Sequence, residues 1–200
     1  MATITAKDVA ALRAQTGAGM MDCKRALEET GGDMAKAVEW LRARGIAKAD
    51  KRADRVAREG RVQVYSHHNG KLAVMVEINC ETDFVARGED FQNLCRDVAM
   101  HIASSAPLAV APSDLAAEVV ERERRIFTEQ VAQEGKPEAI RAKIVEGKLR
   151  KYYAEVCLLE QPFVKDDKQT VGELVKAVSG KTGENIQVRR FTRFMLGEAV

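Results

Sequence analysis

The chain has 200 residues, 46% of them apolar and 31% charged, with 32 basic residues against 30 acidic. That length and mixture support one ordinary domain, or a small module beside a larger one, and a core that needs no disulfide framework. The net charge of +2 is too even to imply nucleic acid by itself, the N-terminus lacks a basic-then-apolar signal pattern, and no stretch has the apolar length of a membrane span.

The first 45 residues read as three short helices. Thr5 followed by Asp8 resembles a capping box, with Asp in place of the usual Glu. Val9 and Leu12 mark the apolar face of the first helix, and Gly17 and Gly19 interrupt it. Met20, Cys23 and Leu27 recur at helical spacing in the second, which Gly31-Gly32 ends. Asp33 can cap a third, with Met34, Val38 and Leu41 on its face and Gly45 closing it. Such a bundle is compact and marginal alone. From residue 46 to 60 the apolar residues thin and Lys48, Lys51, Arg52, Arg55 and Arg58 dominate, as in a partly helical linker between domains. The expected division is a helical module with its basic linker over 1–54 and an α+β core over 55–200.

A hairpin follows. Val62 and Val64 alternate with polar residues, Asn69-Gly70 supplies the turn, and Leu72, Val74, Val76 and Ile78 alternate on the return strand. That strand runs into EINCETDFVAR, from Glu77 to Arg87, where Asp83 and Phe84 sit in a polar turn. Phe91, Leu94, Val98 and Ile102 form the face of a helix that stops before Pro107. Ser113 or Asp114 caps another, with Val119, Ile126 and Val131 inward. Pro137 opens a helix over Glu138–Glu146, and Lys148–Leu159 is a further one. QPFVKDD reads as a loop before a helix at Val171–Ser179, and ENIQVRRFTRFML reads as a last strand. The fold class is α+β: a three-helix module, then a small antiparallel sheet covered by helices.

Chemistry is sparse. Cys23, Cys80, Cys95 and Cys157 form no CxxC pair and no ligand pattern, as expected of reduced, mostly buried thiols in a cytoplasmic protein. His67 and His68 are neighbours on a strand and point apart, and His101 has no second ligand one helical turn away; turn and surface positions account for all three. Gly17 and Gly19 lie between helices, so they fail the strand-then-helix context of a phosphate loop. They make a tight turn that presents Met20 and Met21, either to a partner or to the bundle's own core. VRRFTRF interleaves Arg189, Arg190 and Arg193 with Phe191 and Phe194, a pattern that also suits single-stranded RNA. Cys80 has no neighbouring base to activate it. For Phe84 two readings stay open on local physics: a wedge aimed at a partner, or a hydrophobic staple folded under the next helix with Asp83 as N-cap.

Two long segments now become recognisable. LRAQTGAGMMDCKRAL, Leu12–Leu27, and EINCETDFVAR resemble the paired signatures of the bacterial elongation factor Ts family, in that order and separated by the basic linker. LLEQPFVKDD and VRRFTRF are similar to that family as well, so the likeness covers nearly the whole chain. It implies a ubiquitin-associated-like N-terminal module, an α+β core, and guanine-nucleotide exchange on elongation factor Tu, with no cofactor, no covalent chemistry and no direct contact with nucleic acid or membrane. Thr82, Asp83, Phe84 and Val85 match the motif that, by this resemblance, dislodges Mg²⁺ from the GTPase. Arg13, Gly17, Gly19, Met20, Met21 and Lys24 belong to the module implied to dock on the GTPase domain. Room for one core half resembles the family's short form, which implies a homodimer with 55–200 as its dimerisation domain; a cytoplasmic location is expected from the missing signal and membrane-span patterns. An RNA-binding accessory factor and a Cys80-dependent enzyme are the competing functions.

Overall fold

The computed structural model describes residues 4–135 and 137–198. Three helices open the chain: α1 (Ala6–Thr16), α2 (Met20–Glu29) and α3 (Met34–Asp50). The Thr5–Asp8 capping box is formed, with Thr5 N–H donating to the Asp8 carboxylate at 2.9 Å. Asp33 caps α3 by accepting from Lys36 N–H at 3.0 Å. Val9, Leu12, Cys23, Ala26, Leu27 and Ala37 form the small buried core of this bundle.

Gly45 does not close α3, which continues through it to Asp50. A later glycine closely approaches its backbone. A Cβ on Gly180, in the later helix α8 (Val171–Thr182), would fall 3.1–3.3 Å from Gly45 backbone atoms. The missing side chain at Gly180 lets the two backbones meet, whereas a Cβ on Gly45 would meet nothing within 4 Å. The helical propensity lost at Gly180, about 1 kcal/mol, is offset by that packing.

Strands β1 (Glu59–Ser66) and β2 (Leu72–Cys80) form the expected hairpin, with His67 N–H donating to Leu72 O at 2.9 Å. This hairpin belongs to a three-stranded sheet. Val74, Val76, Ile78 and Cys80 are buried on one side of β2. Short α4 (Asp83–Arg87) and long α5 (Glu89–Ser105) follow, and α5 buries Phe91, Leu94, Val98 and Ile102 as its periodicity requires.

Ser113 and Asp114 lie in a 3₁₀ turn rather than capping a helix; the Asp114 carboxylate instead accepts from Ala111 N–H at 2.9 Å. Helix α6 spans Ala117–Gln133 and α7 Glu138–Val156. The two helices expected over 138–159 are therefore one. Ile144, Val145, Leu149 and Tyr153 keep a single face across Gly147 and pack on Phe127 and Val131 of α6, so packing overrides the glycine. QPFVKDD is not a plain loop either: β3 (Pro162–Phe163) pairs antiparallel with β4 (Asp166–Thr170). The last strand, β5 (Gln187–Met195), completes the antiparallel sheet in the order β1-β2-β5.

The chain resolves into two compact units. The first comprises Met1–Gly60, Asn79–Phe91 and Val175–Gln187; the second comprises Arg61–Ile78, Gln92–Leu174 and Val188–Val200. The first unit thus gathers the helical bundle, the linker, the EINCETDFVAR turn and the C-terminal part of α8. In the second, His101 is fully buried, not at the surface. Its imidazole bonds Gln161 Oε1 through Nε2 at 2.9 Å and accepts from Val164 N–H through Nδ1 at 3.2 Å. Those partners require the neutral ring with its proton on Nε2, and burial holds its pKa below the ordinary 6.5. Among the described residues, no helix is long and apolar enough to cross a membrane, and no group of three or more His, Cys, Asp or Glu is placed to hold a metal ion.

Candidate partner-binding site

β2 ends at Cys80, and the chain turns at once into α4. Thr82, not Asp83, is the N-cap: its hydroxyl oxygen accepts from Val85 N–H at 3.3 Å. Asp83 is the first helical residue and pairs with Arg87 at 2.9 Å on the exposed side. Successive helical residues are rotated by about 100°, so Phe84 and Val85 cannot both face inward. Val85 is buried, and Phe84 is 84% exposed. The staple geometry, with Asp83 as cap and Phe84 underneath, is absent. Phe91 fills the buried aromatic position instead, at 0% exposure.

The turn is held by residues about a hundred positions downstream. Glu184 Oε2 accepts from both Glu81 N–H and Thr82 N–H at 3.0 Å, and Glu184 Oε1 accepts from the Thr82 hydroxyl at 2.6 Å. In return the Glu81 carboxylate accepts from Asn185 N–H at 2.7 Å. Buried Asn185 donates its side-chain amide to Ala53 O at 3.1 Å and Arg55 O at 2.7 Å, tying the linker to the same corner. Cys80 donates its thiol to Thr82 O at 3.2 Å. Burial, and then the Glu184 charge, push that thiol up to about 11, which leaves it protonated and a poor nucleophile.

In the bundle, Gly17 caps α1 with φ of 67°, a left-handed conformation that glycine adopts without a Cβ penalty. Any Cβ there would collide with the stem of Lys181, whose ammonium pairs with Asp90 at 2.6 Å. Lys181 therefore links the Gly17–Gly19 turn to the segment that follows Phe84, all within the first unit. An open groove of about 650 Å³ runs beside Phe84 and is lined by Arg87, Asp90 and Lys181 among others. Gly19 is the N-cap of α2, without a side-chain cap. Met21 is 75% exposed and Met20 43%, although Met20 shares its spacing with buried Cys23 and Leu27. Both methionines therefore lie outside the bundle's core. Arg13 is exposed on the last turn of α1, and Lys24 makes a loose 3.8 Å pair with Glu28.

The arginines of VRRFTRF all have carboxylate partners. Arg190 Nε bonds Glu77 at 2.8 Å, Arg189 lies 3.8 Å from the same carboxylate, and Arg193 holds Glu198 through two bonds of 2.8 and 2.6 Å. Arg193 is neutralised by Glu198, whereas Arg189 and Arg190 share one carboxylate and keep a net positive charge between them.

Sequence reasoning missed Glu184, Asn185 and Lys181. ENI was read only as the beginning of the last strand, which in fact starts at Gln187. No local pattern reports a partner so distant along the chain.

A family model described as "Elongation factor TS" matches residues 5–198. Among curated relatives, an elongation factor Ts of Solidesulfovibrio magneticus is 55% identical over 198 residues, covering 99% of both chains. That of Oleidesulfovibrio alaskensis is 55% identical over 98% of this chain and 100% of its own. One from Synechococcus sp. is 56% identical over 100% of this chain and 93% of its own.

Proposed function

This chain belongs to the elongation factor Ts family, and on that premise we propose that it is a guanine-nucleotide exchange factor that binds GDP-loaded elongation factor Tu, displaces its Mg²⁺ and speeds GDP release. The observation that carries the reading is Phe84, 84% exposed at the head of a five-residue helix and flanked by Asp83. A large aromatic with no intramolecular burial is stabilised when a partner pocket covers it, by about 2 kcal/mol or more for one anchor.

The chemistry needs no covalent step and no cofactor. A GTPase holds GDP largely through its phosphates and a bridging Mg²⁺. Thr82, Asp83, Phe84 and Val85 act as a unit: Phe84 enters the partner as a wedge, Asp83 disturbs the metal shell or holds the displaced backbone, and Thr82 and Val85 fix the turn. Arg13, Gly17, Gly19, Met20, Met21 and Lys24 form the docking surface of the N-terminal module. Linkage makes the action reciprocal. Whatever factor weakens GDP in the complex weakens this protein's hold on the GDP form equally, so entering GTP expels it.

We further propose that the factor works in the cytoplasm as a homodimer paired through its sheet. Val62, Val64, Met75 and Phe194 are exposed apolar strand residues of the second unit, and a second copy would cover them. The direct test of the exchange reading is release of a fluorescent GDP analogue from elongation factor Tu. Saturating protein should accelerate it manyfold; an unchanged rate would overturn the reading.

A further inference from the structure

A wedge is useful only if it is stiff, and little in α4 itself is stiff. Five residues are too few to hold a helix by their own hydrogen bonds. Phe84 contributes no packing, Asp83 and Arg87 pair in solvent, and Val85 is the one buried side chain of the turn. The strongest remaining anchor is the carboxylate of Glu184.

We propose that Glu184 is a positioning residue for the exchange site: it holds the β2-to-α4 corner so that Phe84 is presented in one orientation before the partner arrives. The proposal rests on the exchange reading above. Three donors converge on this one carboxylate, and bonds to an ionised acceptor are roughly twice as strong as neutral ones. The Thr82 hydroxyl is the critical link. Because it donates to Glu184, its lone pair is left aimed at Val85 N–H, the bond that starts α4. Glu184 is itself fixed on both sides. Buried Ser179 donates its hydroxyl to Glu184 O at 2.5 Å, and the following residue, Asn185, is bound to Glu81 and to the linker carbonyls. The corner is thus braced from α8 and from the linker at once, which removes an ordering cost that a loose turn would meet on insertion.

Glu184→Ala removes the acceptor; Thr82 is exposed and Glu81 half-buried, so the freed donors can reach water and the fold should persist. The docking surface of the N-terminal module is untouched. In exchange assays with elongation factor Tu, the saturating rate should fall about tenfold, with the half-saturating concentration within about threefold of wild type. Glu184→Gln should recover most of the lost rate. Its amide oxygen can still accept from the two backbone N–H groups, and its NH₂ can donate to Thr82 Oγ1, which keeps the cap. General loosening would act differently, raising the half-saturating concentration through a smaller folded fraction and leaving the saturating rate intact.

Amide hydrogen exchange on the free protein gives a second readout that needs no partner. In Glu184→Ala the Glu81 and Thr82 amides should exchange about tenfold faster, while core amides of α5 such as Val98 stay as protected as in wild type. Unchanged Glu81 and Thr82 protection, or an unchanged saturating rate, overturns the proposal. Phe84→Ala measured alongside separates the two ideas. If it exchanges nucleotide normally, the wedge reading fails, and amide exchange still decides whether Glu184 holds the turn. If it is impaired while Glu184→Ala is not, only the positioning role fails.

Discussion

Phe84 and Phe91 flank the same turn and have opposite environments, 84% against 0% exposed. Truncation should separate them by urea unfolding. Phe84→Ala should move stability by no more than about 0.5 kcal/mol, as at an ordinary surface site, whereas Phe91→Ala should cost about 3–5 kcal/mol through the cavity it leaves. Equal losses would mean that Phe84 is part of the core. Cys80 carries a second residue-level expectation. With its thiol pushed up to about 11 by burial and by the charge of Glu184, alkylation in the folded protein should be slow at neutral pH and should rise only with unfolding. Fast labelling of folded protein would contradict that environment. The place of Phe84, an aromatic beside an acid at a strand exit, was legible in the sequence. Its orientation was not. One step along a helix decides whether residue 84 or 85 points inward, and Thr82 rather than Asp83 took the cap because its hydroxyl is also gripped by Glu184.

At the scale of elements, apolar periodicity located the helices and the hairpin, and glycines misplaced several of their ends. Gly45 and Gly147 read as breaks, yet both lie within helices, and across Gly147 the packing of one face continues. Gly180 shows the other use of the residue, where any Cβ would press on the Gly45 backbone. Gly180→Leu should force the two backbones apart and lower stability by about 1–3 kcal/mol in thermal or urea unfolding; an unchanged midpoint would mean that the contact is dispensable. His101 was legible as a helical residue on α5 but not as a buried one, since its partners Gln161 and Val164 come from a distant segment. Its folded pKa is lowered from 6.5. The unfolded chain therefore takes up a proton first as pH falls. The contribution of neutral His101 is complete above pH 6.5 and is lost as pH drops through that value toward the depressed folded one. The urea midpoint of wild type should decline between about pH 7 and pH 5 more steeply than that of His101→Gln, which cannot titrate there. Parallel curves would remove His101 as the cause.

For the whole molecule, the α+β class and the order of its parts followed from periodicity, and the family followed from two long segments taken together. The association of those segments did not. Within the first unit the Gly17 turn and the α4 turn are linked through Lys181 and Asp90, and the Glu81–Glu184 corner joins residues near the middle of the chain to residues near its end. The proposed homodimer belongs to this scale. Sedimentation or light scattering should give twice the 22.1 kDa chain mass, and Val64→Asp with Phe194→Asp should shift it toward one chain. A wild-type protein of single-chain mass at assay concentration would overturn it. The central claim is that an exposed aromatic, held by a braced corner, opens the nucleotide site of a GTPase. It is tested most directly by the rate of fluorescent GDP release from elongation factor Tu at saturating wild-type protein and at saturating Phe84→Ala. The account predicts a rate at least about tenfold lower for the variant, with its fold intact and its binding to the GTPase retained through the N-terminal module. Equal rates at saturation would contradict it.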